Sequence, residues 1–165
     1  MKKDETIIYG IPFPDELSKL KGMSPIIIKS PYHIDYIYSY GQDSPFFAGL
    51  ANKKLLGTKC PECGYSYATP KAYCMYCGTS CDWIELPAKG KVHTYTTCYY
   101  GGESFLDETP FNLVLVEFEG FDTLFLSRLT GVKPEEIQIG MQVKPQFAKL
   151  PRISATDVWF VPVKK

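Results

Sequence analysis

Two matched Cys-x-x-Cys pairs stand out in this 165-residue chain as residues whose type and spacing could do chemistry. The pairs are Cys60 with Cys63 and Cys74 with Cys77, and a glycine follows each pair. A Cys-x-x-Cys turn, or knuckle, places two sulfurs on one side of a tight loop, and the glycine lets backbone N–H groups point at them. Two facing knuckles surround one metal ion with four thiolates. The pairs, ten residues apart, therefore predict a tetrahedral metal site.

A site closed by four cysteines leaves no coordination position for a substrate, so the expected role of the metal is structural. Zinc is the expected ion and iron is the alternative, because four thiolates in a tetrahedron suit both metals. A chain of the rubrerythrin class would also need Glu-x-x-His pairs for a di-iron site. Neither His33 nor His93 follows a glutamate at that spacing. An iron-containing electron-transfer module stays open as an alternative function.

The remaining candidates for catalysis lack partners in the sequence. Cys81 and Cys98 fall outside the paired pattern, and a nucleophilic cysteine needs a base within reach. His93 precedes Cys98 by five residues on one predicted strand, which places the two side chains on opposite faces. We interpret both cysteines as structural. His33 also lacks a partner, and neither a Ser-His-Asp set nor a glycine-rich phosphate loop is present. We expect no catalytic activity from this chain alone.

The surrounding elements divide the chain into four predicted parts. Residues 1–43 carry four prolines and short apolar runs, which indicate an extended arm. The arm packs either on its own domain or on another protein surface, and the pattern favours neither. Residues 44–58 are predicted as a helix, residues 59–86 as the metal-binding ribbon, and residues 87–165 as a β domain.

The helix is predicted from its end signals and from its apolar stripe. Ser44 is a suitable N-cap and Pro45 a suitable first residue. Phe46, Phe47 and Leu50 follow at helical spacing, and Gly57 is placed to end the helix.

The β domain contains five predicted strands that are rich in β-branched and aromatic residues. A helical turn at residues 133–137, with Pro134 at its start and two acids behind it, follows the third strand. Three strands, a helical turn and two more strands match the order of a five-stranded OB-fold barrel. The expected fold class is therefore mainly β. The strands are predicted at residues 91–100, 111–118, 123–129, 141–148 and 157–161.

Charge and hydropathy limit the classes of partner. The chain has 18 basic and 18 acidic residues, whereas a dedicated nucleic-acid binder usually has a basic excess. Single-stranded nucleic-acid binding by aromatic residues of the barrel is the other alternative function.

The sequence also bears on localisation, because no apolar run reaches the length of a membrane span. The first residues do not have the pattern of a secretory signal, and the cysteines favour a reducing compartment. We therefore expect a cytoplasmic protein.

The order of these motifs resembles a known family, the rubredoxin-like zinc-ribbon plus OB-fold proteins that accompany thiolases and other acyl-CoA enzymes. The resemblance covers residues 44–162 and leaves the arm aside. It rests on Pro45-Phe46-Phe47, Gly57, the two knuckles with Gly64 and Gly78, Trp83, Gly90-Lys91-Val92 and Gly140-Met141-Gln142-Val143.

The resemblance implies a non-catalytic accessory subunit that docks on a thiolase-type enzyme in a hetero-oligomer and shapes the path of the CoA-bound substrate. Members serve archaeal acetoacetyl-CoA and hydroxymethylglutaryl-CoA synthesis, phloroglucinol acylation, steroid side-chain breakdown, or the thiolase step of anaerobic toluene degradation. The long tyrosine-rich arm makes the last of these a candidate.

A mild basic cluster near the last strands is the candidate for contact with CoA phosphates. The alternative is that these side chains only face solvent. The cluster consists of Arg128, Lys144, Lys149 and Arg152.

Overall fold

The computed structural model describes residues 7–8, 11–12 and 30–163 of the chain. The described residues form one α-helix and ten strands, so the predicted mainly β fold class is confirmed. Among them, no helix combines the length and the apolar character needed to cross a bilayer. The helix, α1, spans Ser44–Ala51. The strands are β1 Ile7–Ile8, β2 Ile11–Pro12, β3 Leu56–Lys59, β4 Ser66–Tyr67, β5 Asp82–Glu85, β6 Gly90–Cys98, β7 Phe111–Glu117, β8 Phe125–Leu129, β9 Gln142–Phe147 and β10 Val158–Pro162.

Residues 1–38 form one compact unit and residues 39–165 form another. In the first unit, β1 and β2 are antiparallel, with Ile8 opposite Ile11. Residues 30–38 contain no helix or strand, and most of their large side chains are exposed. Residues 1–6, 9–10 and 13–29 of the predicted arm lie outside those described, so the surface that covers the arm stays a prediction.

The helix is shorter than predicted. It ends at Ala51 rather than near Gly57, because Asn52 Nδ2 donates to Ala48 O at 2.8 Å and Lys53 takes a left-handed backbone with φ of 61°. The predicted N-cap is also wrong. Ser44 is the first helical residue, and its Oγ donates to Gly41 O at 2.6 Å.

Residues 39–43, predicted as the end of the arm, pack with the helix. Gly41–Asp43 form a 3-10 turn that leads directly into α1. The Tyr40 ring stacks on Phe47 at 3.6 Å between centroids, and its hydroxyl donates to Ile153 O at 2.6 Å. A truncation that removes the arm should therefore stop at residue 38.

Three antiparallel strands form the ribbon sheet in the order β4-β3-β5. Thr58, at the centre of the sheet, pairs with Tyr67 on β4 and with Trp83 on β5. Its buried hydroxyl accepts a hydrogen bond from Lys71 N at 2.9 Å, which ties the loop between the knuckles to the sheet. The ribbon sheet thus begins at Leu56, inside the segment predicted as helix.

Five strands close into a barrel in the order β10-β8-β7-β6-β9. Strands β6, β7 and β8 are consecutive antiparallel neighbours, β9 returns to β6, and β10 runs parallel to β8 where Phe160 meets Leu129. This is the connectivity of an OB-fold barrel, so the predicted barrel is confirmed. The predicted helical turn is the 3-10 turn Pro134–Glu136.

One apolar core joins the helix, the start of the ribbon and the barrel. Strand β7 shows the alternation that fills it, since Asn112, Val114 and Val116 are buried and their neighbours are only half-buried. The Phe46 ring of α1 lies 6.2 Å from that of Phe125 on β8, which brings the helix into the same core. The buried residues of this core are Phe46, Leu50, Leu55, Ala68, Leu86, Val92, Val114, Val116, Phe118, Phe125, Leu129, Ile137, Val143, Val158 and Phe160.

Candidate metal centre

The four predicted cysteines converge, with all four Sγ atoms within 4.8 Å of one another. Cys60 Sγ lies 3.6 Å from Cys77 Sγ, and Cys63 Sγ lies 3.6 Å from Cys74 Sγ. With metal–sulfur bonds of about 2.3 Å, a tetrahedral site has sulfur–sulfur edges of about 3.8 Å. The cluster therefore fits one tetrahedral metal ion, as the sequence predicts.

Each knuckle is closed by its glycine. Gly64 N donates to Cys60 O at 3.0 Å and Gly78 N donates to Cys74 O at 2.9 Å. Both glycines have positive φ, 77° and 70°, which favours a residue without a side chain. The glycine N–H groups bond carbonyl oxygens, and other backbone N–H groups point at the sulfurs, as predicted. One of these is Tyr76 N, 3.4 Å from Cys74 Sγ.

The two sides of the cluster differ in exposure. Cys60 is 0% exposed and Cys74 is 3% exposed, whereas Cys63 and Cys77 are exposed. The buried pair belongs to a second, small core of the ribbon. The metal position thus has one inner side within the protein and one outer side at the surface.

Hydrogen bonds move the pKa values of Cys74 and Cys77 in opposite directions. A hydrogen bond from the Tyr67 hydroxyl, with further ones from backbone N–H groups, lowers the pKa of Cys74 to about 6. The same bond raises the pKa of Tyr67 to about 12. Contacts with Cys63 and Cys74 raise the pKa of Cys77. The lowered pKa favours the thiolate form of Cys74, which is the form that binds a metal.

A set of hydrogen bonds joins the ribbon to the barrel at the β7–β8 turn. Asp122 Oδ2 accepts from Ser66 N at 2.8 Å, and Asp122 N donates to Ser66 O at 3.0 Å. Thr123 Oγ1 accepts from Ala68 N at 2.9 Å. These bonds tie ribbon and barrel together within one compact unit of the chain.

Replacing Asp122 with alanine is expected to destabilise the protein by about 1–2 kcal/mol, because the Ser66 N–H loses its acceptor in a largely buried position. Urea unfolding measures the change. Asp122→Asn, which keeps an acceptor, should lose less. Glu119→Ala, on the exposed side of the same turn, should stay within about 0.5 kcal/mol. Equal losses in Asp122→Ala and Glu119→Ala would contradict the assignment.

Cys81, Cys98 and His93 lie outside the four-cysteine cluster. Cys81 is buried in the ribbon core, and burial raises the pKa of its thiol. A bulge at His93 shifts the register of β6, and the His93 ring bonds Glu117, 3.0 Å away. The bulge puts His93 on the same side of the strand as Cys98, so the prediction of opposite faces is wrong. Five residues, about 16 Å along a strand, still separate the two.

A groove of about 630 Å³ crosses the barrel over β7, β8 and β10. Its walls are mainly aromatic and aliphatic, and they include Phe105, Phe111 and Trp159. Arg128 lies in it, paired with Glu108 and stacked 4.6 Å from the Phe111 ring centroid. The groove occupies the strand 2–3 face on which OB folds bind ligands.

The predicted basic cluster is spread over several parts of the barrel. Arg128 lies in the groove, whereas Lys144 lines a separate cavity beside Val161. Lys149 and Arg152 are exposed in the β9–β10 connection. Asp157 shapes this connection, since its carboxylate accepts from Arg152 N at 2.9 Å. Contact of these four residues with CoA stays a prediction.

A four-cysteine ribbon bonded to a closed five-stranded barrel defines the class, a rubredoxin-like zinc-ribbon protein with an OB-fold domain. Two family models match, "ChsH2, rubredoxin-like zinc ribbon domain" over residues 47–81 and "ChsH2, C-terminal OB-fold domain" over residues 83–148. A DUF35 domain-containing scaffold protein of Methanocaldococcus jannaschii is 31% identical over 98 residues, which are 58% of this chain and 69% of the relative. The chain belongs to the family of DUF35 domain-containing scaffold proteins.

Two further similarities concern proteins of enzyme complexes. A Thermomonospora curvata protein described as a probable enoyl-CoA hydratase alpha subunit is 31% identical over 62% of this chain and 32% of its own length. The solved structure described as "Ltp2-ChsH2(DUF35) aldolase" has a TM-score of 0.60 and 24% identity, over 73% of this chain and 93% of that chain. At this identity the structural match supports the fold.

Proposed function

We propose that this chain is a non-catalytic accessory subunit of a thiolase-type acyl-CoA enzyme complex. The observation that carries the proposal is the junction at Asp122 and Thr123, which bonds the ribbon directly to the barrel without adding reactive groups. Neither Cys81 nor Cys98 meets a histidine among the contacts of the described residues. A ribbon bonded to a barrel, without a catalytic set, suits a subunit that positions a partner enzyme.

The class of partner is supported by the relatives. One is a scaffold protein, one is described as an enoyl-CoA hydratase subunit, and one structural neighbour is described as part of an aldolase. An enzyme that acts on a CoA thioester is the partner class consistent with the hydratase relative. A thiolase is the particular partner that the motif order favours, with the thiolase of anaerobic aromatic degradation as the candidate pathway enzyme. We propose a cytoplasmic hetero-oligomer.

The metal of the ribbon is proposed to be zinc in a structural role. Cys60, Cys63, Cys74 and Cys77 would hold it, and their sulfur spacing suits a tetrahedral thiolate site. Zinc supplies a closed cross-link between the knuckles and has no redox chemistry. A colourless protein with one zinc per chain supports this assignment. A coloured protein with one iron per chain would replace it with the electron-transfer alternative.

Co-expression with a candidate thiolase-type enzyme tests the proposed function. We expect a stable complex on size exclusion, and thiolase activity that depends on this chain. Removal of residues 1–38 should weaken assembly if the arm covers the partner. A chain that stays monomeric and leaves the activity unchanged would overturn the proposal. Binding of single-stranded DNA at low salt that falls steeply with added salt would instead support the nucleic-acid alternative.

The same complex tests the proposed CoA contacts. Glutamine substitution of the four basic residues should raise the KM for the acyl-CoA by at least about tenfold, because each charge-assisted bond to a phosphate contributes about 1.5–3 kcal/mol. Lys133→Gln, at an exposed position ahead of the 3-10 turn, serves as the matched control. An unchanged KM in the quadruple variant would assign these residues to a solvated face. The substituted residues are Arg128, Lys144, Lys149 and Arg152.

A further inference from the structure

Tyr67 brings a hydroxyl group into the metal centre from outside the two knuckles. Its side chain is 2% exposed, and it lies at the end of β4, directly after the first knuckle. The hydroxyl reaches across to the second knuckle, where it lies 2.9 Å from Met75 N and 3.5 Å from Cys74 Sγ. A side chain of one half of the ribbon therefore touches both the backbone and a metal-binding sulfur of the other half.

The direction of the two hydrogen bonds follows from their chemistry. Met75 N can only donate, so its N–H occupies a lone pair of the Tyr67 oxygen. The phenol hydrogen then remains for the sulfur. A metal-bound thiolate carries no hydrogen and can only accept, so Tyr67 is the donor to Cys74 Sγ.

A donor at this position matters because of charge. Four thiolates around a divalent ion leave a net charge of −2, and Cys74 is on the buried side, where water cannot offset that charge. Hydrogen bonds to a ligand from outside the coordination sphere hold its orientation and stabilise its charged form. Cys74 receives one such bond from Tyr76 N and a second from Tyr67.

We propose that Tyr67 is a positioning residue of the metal centre, whose hydroxyl holds the Cys74 thiolate and controls how long the ribbon retains its ion. The inference rests on the proposed metal site. A purely structural role for the Tyr67 ring would instead require only its packing against the Tyr65 ring, 5.0 Å away. The two roles separate when the hydroxyl is removed and the ring is kept.

The first test compares Tyr67→Phe with Tyr65→Phe in the full-length chain. Tyr65 is the matched control, since it is in the same ring cluster and its hydroxyl contacts Tyr76. Zinc transfer to a chromogenic chelator should be about 10- to 100-fold faster in Tyr67→Phe, and close to wild type in Tyr65→Phe. In the cobalt-substituted proteins, the sulfur-to-cobalt charge-transfer band should move to lower energy in Tyr67→Phe. Unchanged release and spectrum, or equal changes in both variants, would overturn the inference.

A second test needs no variant and remains decisive if Tyr67→Phe fails to fold. The wild-type chain is loaded with ¹¹³Cd, and scalar coupling from the metal is measured by NMR. We expect coupling to the phenolic proton of Tyr67, transmitted through the bond to Cys74 Sγ. Clear coupling to the Cys74 β-protons without coupling to a resolved Tyr67 hydroxyl proton would overturn the inference. A wild-type chain that binds neither zinc nor cadmium would reject the metal site itself, which distinguishes that failure from this one.

Discussion

Replacing Cys60 with serine is expected to abolish stoichiometric metal binding and to unfold the ribbon. Cys60 is fully buried in a core of only four buried residues, and its sulfur forms one edge of the cluster. Serine at this position does not ionise, so the ion keeps three thiolates. In small metal modules the free energy of metal binding is folding free energy, about 10–16 kcal/mol in isolated zinc fingers. Because the ribbon core is so small, we expect a loss of at least about 4 kcal/mol.

Metal content by mass spectrometry and thermal unfolding with and without chelator measure the effect. A loss of this size should lower Tm by at least about 8 °C in a chain of this length. Cys98→Ser is the control, since Cys98 lies on β6 outside the cluster and should keep the metal and most of the stability. Chelator treatment of the wild type should reproduce the Cys60→Ser result. A Cys60→Ser protein with one metal ion and unchanged Tm would contradict the structural role.

Replacing Gly57 with alanine is expected to destabilise the protein by about 3 kcal/mol or more, although the change adds one methyl group. A Cβ at this position would lie 2.4 Å from Tyr67 O, a backbone atom, and 2.7 Å from Leu86 Cδ1. The carbonyl of Tyr67 cannot retreat without breaking the β3–β4 pairing. The strain therefore falls on the same strand that places the Tyr67 hydroxyl at Cys74.

Urea unfolding of Gly57→Ala and Gly102→Ala tests this explanation. Gly102 has an ordinary extended backbone, with φ of −62°, and a Cβ there meets no atom within 4 Å. Gly102→Ala should therefore stay within about 0.5 kcal/mol of wild type. Gly57→Ala should also release zinc faster, because displacement of β4 moves the Tyr67 hydroxyl. Similar stability in the two variants would show that the ribbon has room that its structure does not indicate.

Local patterns were sufficient to predict the four-cysteine cluster and the barrel. The thiolates of a knuckle are three residues apart, so their spacing alone brings them together, and the paired glycines mark both turns. The barrel strands are continuous runs of β-branched and aromatic residues separated by turns, and their order around one helical turn restricts the topology. Both features are encoded within short stretches of chain, which is why the sequence determines them.

The tertiary structure decided those features that depend on contacts between residues far apart in the sequence. Gly57 was predicted to end the helix, but glycine is needed there because a side chain would clash with the carbonyl of Tyr67 on the neighbouring strand. Asp122 acts on Ser66 across 56 residues, and Tyr67 acts on Cys74 across a loop, through contacts that no local pattern encodes. The sequence by itself determined which cysteines converge in the candidate metal centre and which barrel follows it. The fold decided which hydrogen bonds hold that centre and join it to the barrel, because those bonds form only when separate strands meet.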